Sequence, residues 1–158
     1  MTVRDARASE AAHLAKIWFD GWQDAHAHLL PAELARLRTL ESFRDRLIAA
    51  MDRVRAVGPP DAPVGFCMTK DSEVYQLYVA AEARGSGLAA ALIHDAELRL
   101  GENGVRKAWL TCAIGNQRAA RFYEKQGWIR AGSVIEPLEA GSGTFPLEVW
   151  RYEKLLKR

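Results

Sequence analysis

The sequence predicts a mixed α/β domain with helices on both faces of one sheet. Three observations carry this. An apolar, β-favouring run over residues 74–79 ends in a glycine turn that opens directly into a helix. The apolar residues of that helix, Leu88, Ala89, Leu92, Ile93, Ala96 and Leu100, follow a 3.6-residue period. A second strand-to-helix unit follows, with a strand over 105–112 leading into a helix over 117–126. The chain has 158 residues, of which 49% are hydrophobic and 27% charged, enough for one domain with a real core.

Taken in order, residues 2–7 form a short strand. Ser9 is a candidate N-cap for the next helix. That helix carries Ala12, Ala15, Ile17, Trp18, Phe19 and Trp22, an apolar face wide enough for burial on more than one side. Pro31 disfavours helix at Leu30 and suits the opening of a second helix over about 32–51. Leu34, Leu37, Leu40, Phe43, Leu47 and Ile48 are its stripe. Strands over 53–57 and 64–70 flank the breaker-rich turn 58–63. A turn at Asp71-Ser72 leads to the central strand, 73–79. Gly101 and Gly104 flank the end of the glycine-loop helix. Gly127 is the C′ residue of helix 117–126, and Trp128 is the C″ residue that packs back on it. The last two strands run over 128–135 and 145–154, joined through Gly141-Ser142-Gly143. The order is βααββ-βα-βα-ββ, one domain over 1–158.

Net charge is +2, too small to point to nucleic acid or membrane as a partner. No apolar run has transmembrane or signal-peptide character, so a cytoplasmic location is expected. Cys67 and Cys112 fall inside strands and are expected as buried free thiols. His26 and His28 have no third ligand in view, so no metal is expected. His13 and His94 read as surface helix positions.

Strand, two-glycine loop and helix N-terminus together make an anion site. The first-turn N–H groups have no intrahelical partner, and glycine lets successive N–H groups converge on a ligand. The expected ligand is a phosphate or pyrophosphate. No lysine follows the loop in Walker spacing, and no acidic residue is placed for a ribose, which argues against a nucleotide binder.

Arg84-Gly85-Ser86-Gly87-Leu88-Ala89 fits [Q/R]-x-x-G-x-[G/A] and resembles the pyrophosphate loop of the GNAT superfamily, the acyl-CoA-dependent N-acetyltransferases. A second stretch, Asn116 to Trp128, is similar to the family's N-x-x-A-x-x-[FL]-Y-x-x-x-G-[FW] motif, in the right order and at the right distance. The resemblance covers 74–128 strongly. It implies a mostly antiparallel, twisted sheet in which the strands before the two motifs are parallel neighbours that splay apart. The cofactor's pantetheine arm would enter that gap. It also implies acetyl-CoA as cosubstrate, bound by Leu77, Tyr78, Val79, Arg84, Gly85, Ser86, Gly87, Leu88, Ala89, Asn116 and Arg118. The segment carrying Trp22, His26 and Leu30 would line the acceptor pocket, with Trp18, His28, Glu148 and Trp150 as further candidates. The expected partner is a small-molecule or peptide amine, with a homodimer allowed.

Acyl transfer from a thioester to an amine needs the amine neutral and the leaving thiolate protonated or strongly hydrogen-bonded. A lysine-like amine titrates at about 10.4, so a base is required. A thiol titrates at about 8.5, so a weak acid suffices. The motif places Tyr123 as that acid; by itself the position also reads as a core aromatic beside Phe122. Glu73 is the candidate base, or a solvated strand-entry glutamate. Asn116 caps helix 117–126 and can also face the cofactor arm. Arg121 reads as solvated helix face. Cys112 is an acyl relay only in principle, because no base adjoins it. The function expected is direct transfer from acetyl-CoA to a primary amine in a ternary complex. A non-catalytic acyl-CoA sensor on the same fold is the alternative.

Overall fold

The computed structural model describes residues 1–26, 28–140 and 143–157. The strands are β1 (Val3–Asp5), β2 (Val54–Val57), β3 (Gly65–Lys70), β4 (Glu73–Val79), β5 (Lys107–Ala113), β6 (Ile129–Ala140) and β7 (Gly143–Leu155). They form one seven-stranded sheet in the order β1-β2-β3-β4-β5-β7-β6. Neighbours are antiparallel except β4 and β5, which are parallel. The helices are α1 (Ala11–His26), α2 (Ala32–Leu37), α3 (Leu40–Ala49), α4 (Leu88–Glu102) and α5 (Gln117–Lys125). Among the described residues, no helix is long and apolar enough to cross a membrane.

Alternation along the strands splits the core into two layers. Phe66 and Met68 pack with Leu14, Trp18, Trp22, Phe43 and Leu47 of α1 and α3. Cys67, between them in sequence, packs with Leu92, Ile93, Leu110, Trp128 and Tyr152 on the other face, which α4 and α5 cover. The mixed sheet with helices on both faces is as the sequence predicts.

The helix expected over 32–51 is two helices. Arg38 leaves helical geometry at φ −94°, ψ 71°, and Thr39 caps α3 by accepting from the Ser42 N–H at 3.0 Å. The leucine period runs straight through this break and hides it. Leu34, Phe43 and Leu47 are buried, but Leu37, Leu40 and Ile48 are exposed. Ser9 is not an N-cap. It lies inside a 3₁₀ turn, Ala8–Glu10, and Glu10 takes the Arg7 N–H at 2.8 Å. The final hairpin is longer than expected: β6 continues past Ile135, and Pro137 faces Pro146. Neither residue has an N–H to lose, so a facing non-hydrogen-bonded position accommodates both. Gly141 and Ser142 lie outside the described residues.

Two local features open the sheet. Thr69 faces Val74 while Met68 faces Gln76, so Tyr75 is an extra residue, a β-bulge in β4. After it, Tyr75 and Tyr78 pack on the α1 face while Leu77 and Val79 pack on the α4 face. Meanwhile β4 and β5 pair only at Glu73 and Trp109, with the Trp109 N–H donating to Ser72 O at 3.2 Å. Beyond that point the strands part.

Glu10 ties the N-terminal strand down. Its buried carboxylate accepts from both Arg4 Nη atoms at 3.0 and 2.7 Å and from the Arg7 and Asp61 N–H groups. The Arg4 bond, ahead of all other causes, lowers its pKa to about 2. Its stabilising contribution is therefore present above the ordinary carboxylate range and is lost as pH falls towards about 2. Glu10→Gln should cost about 3 kcal/mol near neutral pH in a urea titration, and less in acid. An unchanged midpoint at neutral pH contradicts this.

Candidate active site

A single cavity of about 570 Å³ occupies the gap between β4 and β5. At one end it reaches the glycine loop. Gly85 and Gly87 have φ of +79° and +83°, and a Cβ at either would meet nothing within 4 Å. Gly87 is the N-cap of α4, and its carbonyl takes the Ala91 N–H at 3.1 Å. The N–H groups of Leu88, Ala89 and Ala90 therefore have no partner within the helix. These donors stand at the positive end of a helix dipole, on residues that line the cavity. Arg84 and Arg118 also line it. Arg84 Nη1 is bonded to Asp24 Oδ2 of α1 at 2.9 Å. Arg121 is exposed on α5 and is not a lining residue.

The middle of the cavity is walled by Leu77, Tyr78 and Val79 on one side and by Cys112, Asn116 and Tyr123 on the other. Tyr78 packs tightly on α1 at Gly21, where a Cβ would come within 2.5 Å of its ring. Asn116 caps α5 by accepting from the Ala119 N–H at 3.2 Å. That bond orients its amide, so Nδ2 is the atom 3.4 Å from His26 Nε2. A bond from Nδ2 requires His26 to accept at Nε2 and so to carry its proton on Nδ1, which has no hydrogen-bond partner among the described residues. Burial first, then the Arg38 charge, pushes its pKa down to about 4, so the ring is neutral.

Tyr123 is half-buried, with its ring against Phe122 and Tyr152 at 5.4 and 6.1 Å. Its backbone is fixed by the end of α5, where the Trp128 N–H bonds Tyr123 O at 3.0 Å around Gly127 at φ +90°. Burial raises the phenol above its usual value, with Cys112 a smaller cause. The hydroxyl therefore keeps its proton. Burial also pushes the Cys112 thiol up to about 12, so it is not a thiolate at neutral pH. Both cysteines are free and buried.

The far end carries Trp22, His26 and Leu30, together with Arg38, Leu138, Leu147 and Val149. Most residues marked from the sequence thus meet in one cavity; Glu73 and Ser86 do not line it. The Ser86 hydroxyl turns back onto the Ala83 carbonyl within the loop. Glu73 is 6% exposed, one residue before the lining residue Val74. Burial, and then the Glu136 charge, raise its pKa to about 8, so it is not a solvated strand-entry residue. Trp18 belongs to the core, His28 is exposed, Glu148 bonds Ser133, and Trp150 is covered by Arg130. None of those four lines the cavity. His13 and His94 are exposed, as expected. Among the described residues, no three His, Cys, Asp or Glu side chains gather as a metal site.

Sequence reasoning missed Arg38, Leu138 and Leu147. The cap pattern Thr39-x-x-Ser42 is the signal that could have placed Arg38 at a helix break. Leu138 and Leu147 arrive through the hairpin's length, which the two prolines concealed.

Comparison with known proteins agrees with this geometry. A profile of the Acetyltransferase (GNAT) family matches residues 12–128. An uncharacterized N-acetyltransferase of Mycobacterium tuberculosis is 37% identical over 70 residues, which is 41% of this chain and 45% of that protein. The match thus spans less than half of the relative's length. Solved structures share the fold over nearly the whole chain. A GCN5-related N-acetyltransferase of Rhodopseudomonas palustris has a TM-score of 0.73 at 20% identity, covering 98% of this chain and 95% of its own. The PaiA N-acetyltransferase of Thermoplasma acidophilum, solved with coenzyme A, has 0.72 at 16%, covering 97% of each. YncA of Salmonella typhimurium, a putative acetyltransferase solved with acetyl-CoA, has 0.72 at 14%, covering 100% and 95%. At such identities the likeness is one of fold. With the family profile spanning most of the chain, and both motifs lining one cavity between the parted parallel strands, this chain belongs to the GNAT acetyltransferase family.

Proposed function

We propose that this protein is an N-acetyltransferase that moves an acetyl group from acetyl-CoA directly to a primary amine in a ternary complex. The observation that carries it is the single cavity joining the glycine-loop donors, Tyr123 and the acceptor end. The open space at Gly85 and Gly87, where side chains would otherwise stand, fits a pyrophosphate against the Leu88, Ala89 and Ala90 N–H groups. Arg118, and Arg84 on leaving Asp24, would pair with phosphates, and Leu77, Tyr78, Val79 and Asn116 would flank the pantetheine arm. Acetyl-CoA supplies an activated acyl group on a thioester, whose sulfur departs as a thiolate.

The protein's part is to hold protons at two atoms. Tyr123 Oη keeps the proton that the departing thiolate takes. Glu73 takes the proton the amine must lose; because it does not line the cavity, it acts through water. The amine gains its bond to the acyl carbon as the C–S bond breaks. A covalent relay on Cys112 is disfavoured because its thiol is protonated and no base adjoins it.

The basic form of Glu73 gains population as pH rises through about 8. The kcat deficit of Glu73→Gln should therefore widen as pH rises through that value, then narrow as pH approaches the acceptor amine's own pKa. A pH–rate profile with the wild-type shape removes Glu73 as the base.

Incubation with acetyl-CoA and a panel of primary amines tests the function itself. Mass spectrometry should show an N-acetylated amine, and no acetyl on the protein when amine is omitted. Binding of CoA with no product from any amine supports the sensor; acetyl on Cys112 supports the relay.

A further inference from the structure

Arg38 brings an uncompensated charge to the acceptor end of the cavity. It is 5% exposed, and its Nε is buried with no hydrogen-bond partner. Among the described residues no carboxylate forms a salt bridge with it. Glu139 is the carboxylate whose field reaches it, but Glu139 is already engaged by Arg46 at 3.2 Å and Lys70 at 3.7 Å. Burial, and then the Arg46 charge, lower the Arg38 pKa to about 10, which still leaves a cation at neutral pH. A guanidinium held out of water with no anion is unfavourable, and a fold that keeps one leaves a binding energy unspent. Its planar fork matches a carboxylate through two parallel hydrogen bonds.

The surroundings limit what brings that carboxylate. Arg38 Cζ lies 6.0 Å from the Trp22 ring centre. Trp22, Leu30, Leu138 and Leu147 line the same end with apolar surface. His26 is neutral and offers no second charge. Arg38 stands at the break between α2 and α3, outside helical geometry.

Resting on the acetyltransferase reading above, we infer that the acceptor is an amino acid with an apolar side chain. Its carboxylate is taken by the Arg38 fork, its side chain by Trp22, Leu138 and Leu147, and its amine points towards the middle of the cavity.

The test compares leucine with leucinamide, and with the aminophosphonate analogue of leucine, in wild-type and Arg38→Met proteins. Leucinamide has the less protonated amine, so intrinsic reactivity favours it. Wild-type kcat/KM should nevertheless favour leucine on the order of 10²-fold, the scale of a charge-assisted bidentate contact. Arg38→Met should remove that preference by lowering kcat/KM for leucine. Its melting temperature should rise, because an unpaired buried charge has gone. Calorimetry on the CoA-bound protein gives a readout without turnover: leucine should bind more tightly than its amide, and only when Arg38 is present. Such binding with no acetylation of any amine would sink the acetyltransferase reading and leave the carboxylate site standing. Equal use and equal binding of acid and amide overturns the inference. So does a preference for the phosphonate, or an Arg38→Met protein that melts lower and loses both acceptors alike.

Discussion

Gly87→Glu should abolish coenzyme A binding in a protein that still folds. The position has φ +83°, where a side chain costs about 1–2 kcal/mol. A domain of this kind has about 5–15 kcal/mol of stability, so the fold survives that cost. Nothing within 4 Å obstructs the new Cβ. The carboxylate instead occupies the open space before the Leu88, Ala89 and Ala90 N–H groups, where a pyrophosphate would otherwise sit. Like charges brought together at such a site cost several kcal/mol, which is about 10³-fold in affinity. Calorimetry reads this directly, with circular dichroism as the check on folding. Unchanged affinity in a folded variant removes the glycine loop as the phosphate site.

Tyr123→Phe should lower kcat about 10²-fold while CoA affinity stays within a few-fold. General acid catalysis contributes 10²–10⁴-fold, and a thiolate is a good leaving group, so the loss falls at the low end. The substitution removes one oxygen and keeps the ring contacts with Phe122 and Tyr152. Burial and nearby thiols and phenols, not a hydrogen bond, account for the raised pKa of this hydroxyl. No buried partner is orphaned, so the melting temperature should move little. Near-wild-type turnover, measured where chemistry limits the rate, leaves Tyr123 as a packing residue.

The parts of the site that were legible in the sequence are those that local chemistry dictates. Two glycines between an apolar strand and a 3.6-residue stripe specify the α4 N-terminus, whatever the rest of the chain does. Asn116 at a cap and Gly127 at a C′ position specify both ends of α5, and so the backbone that presents Tyr123. What was not legible depends on partners far away in sequence. The bulge at Tyr75 is a mismatch between β3 and β4 that neither strand announces. The parting of β4 from β5 was expected from the family resemblance and not from residue pattern. Arg38 shows the competition most plainly. The leucine period of 34–48 argues for one helix, while the Thr39 cap argues for two. The cap prevails because Leu37, Leu40 and Ile48 find no core to enter. Glu73 needed the third dimension too, since a strand-entry glutamate and a buried carboxyl with a pKa near 8 look alike in sequence.

A crystal structure with coenzyme A decides whether one cavity serves both cofactor and acceptor. It should show the pyrophosphate on the Leu88, Ala89 and Ala90 N–H groups, the pantetheine arm between β4 and β5, and the sulfur within hydrogen-bond reach of Tyr123 Oη. The space bounded by Trp22, His26 and Arg38 should stay open beyond the sulfur. A pyrophosphate bound away from the glycine loop, or a sulfur that ends outside the reach of Tyr123, would contradict this.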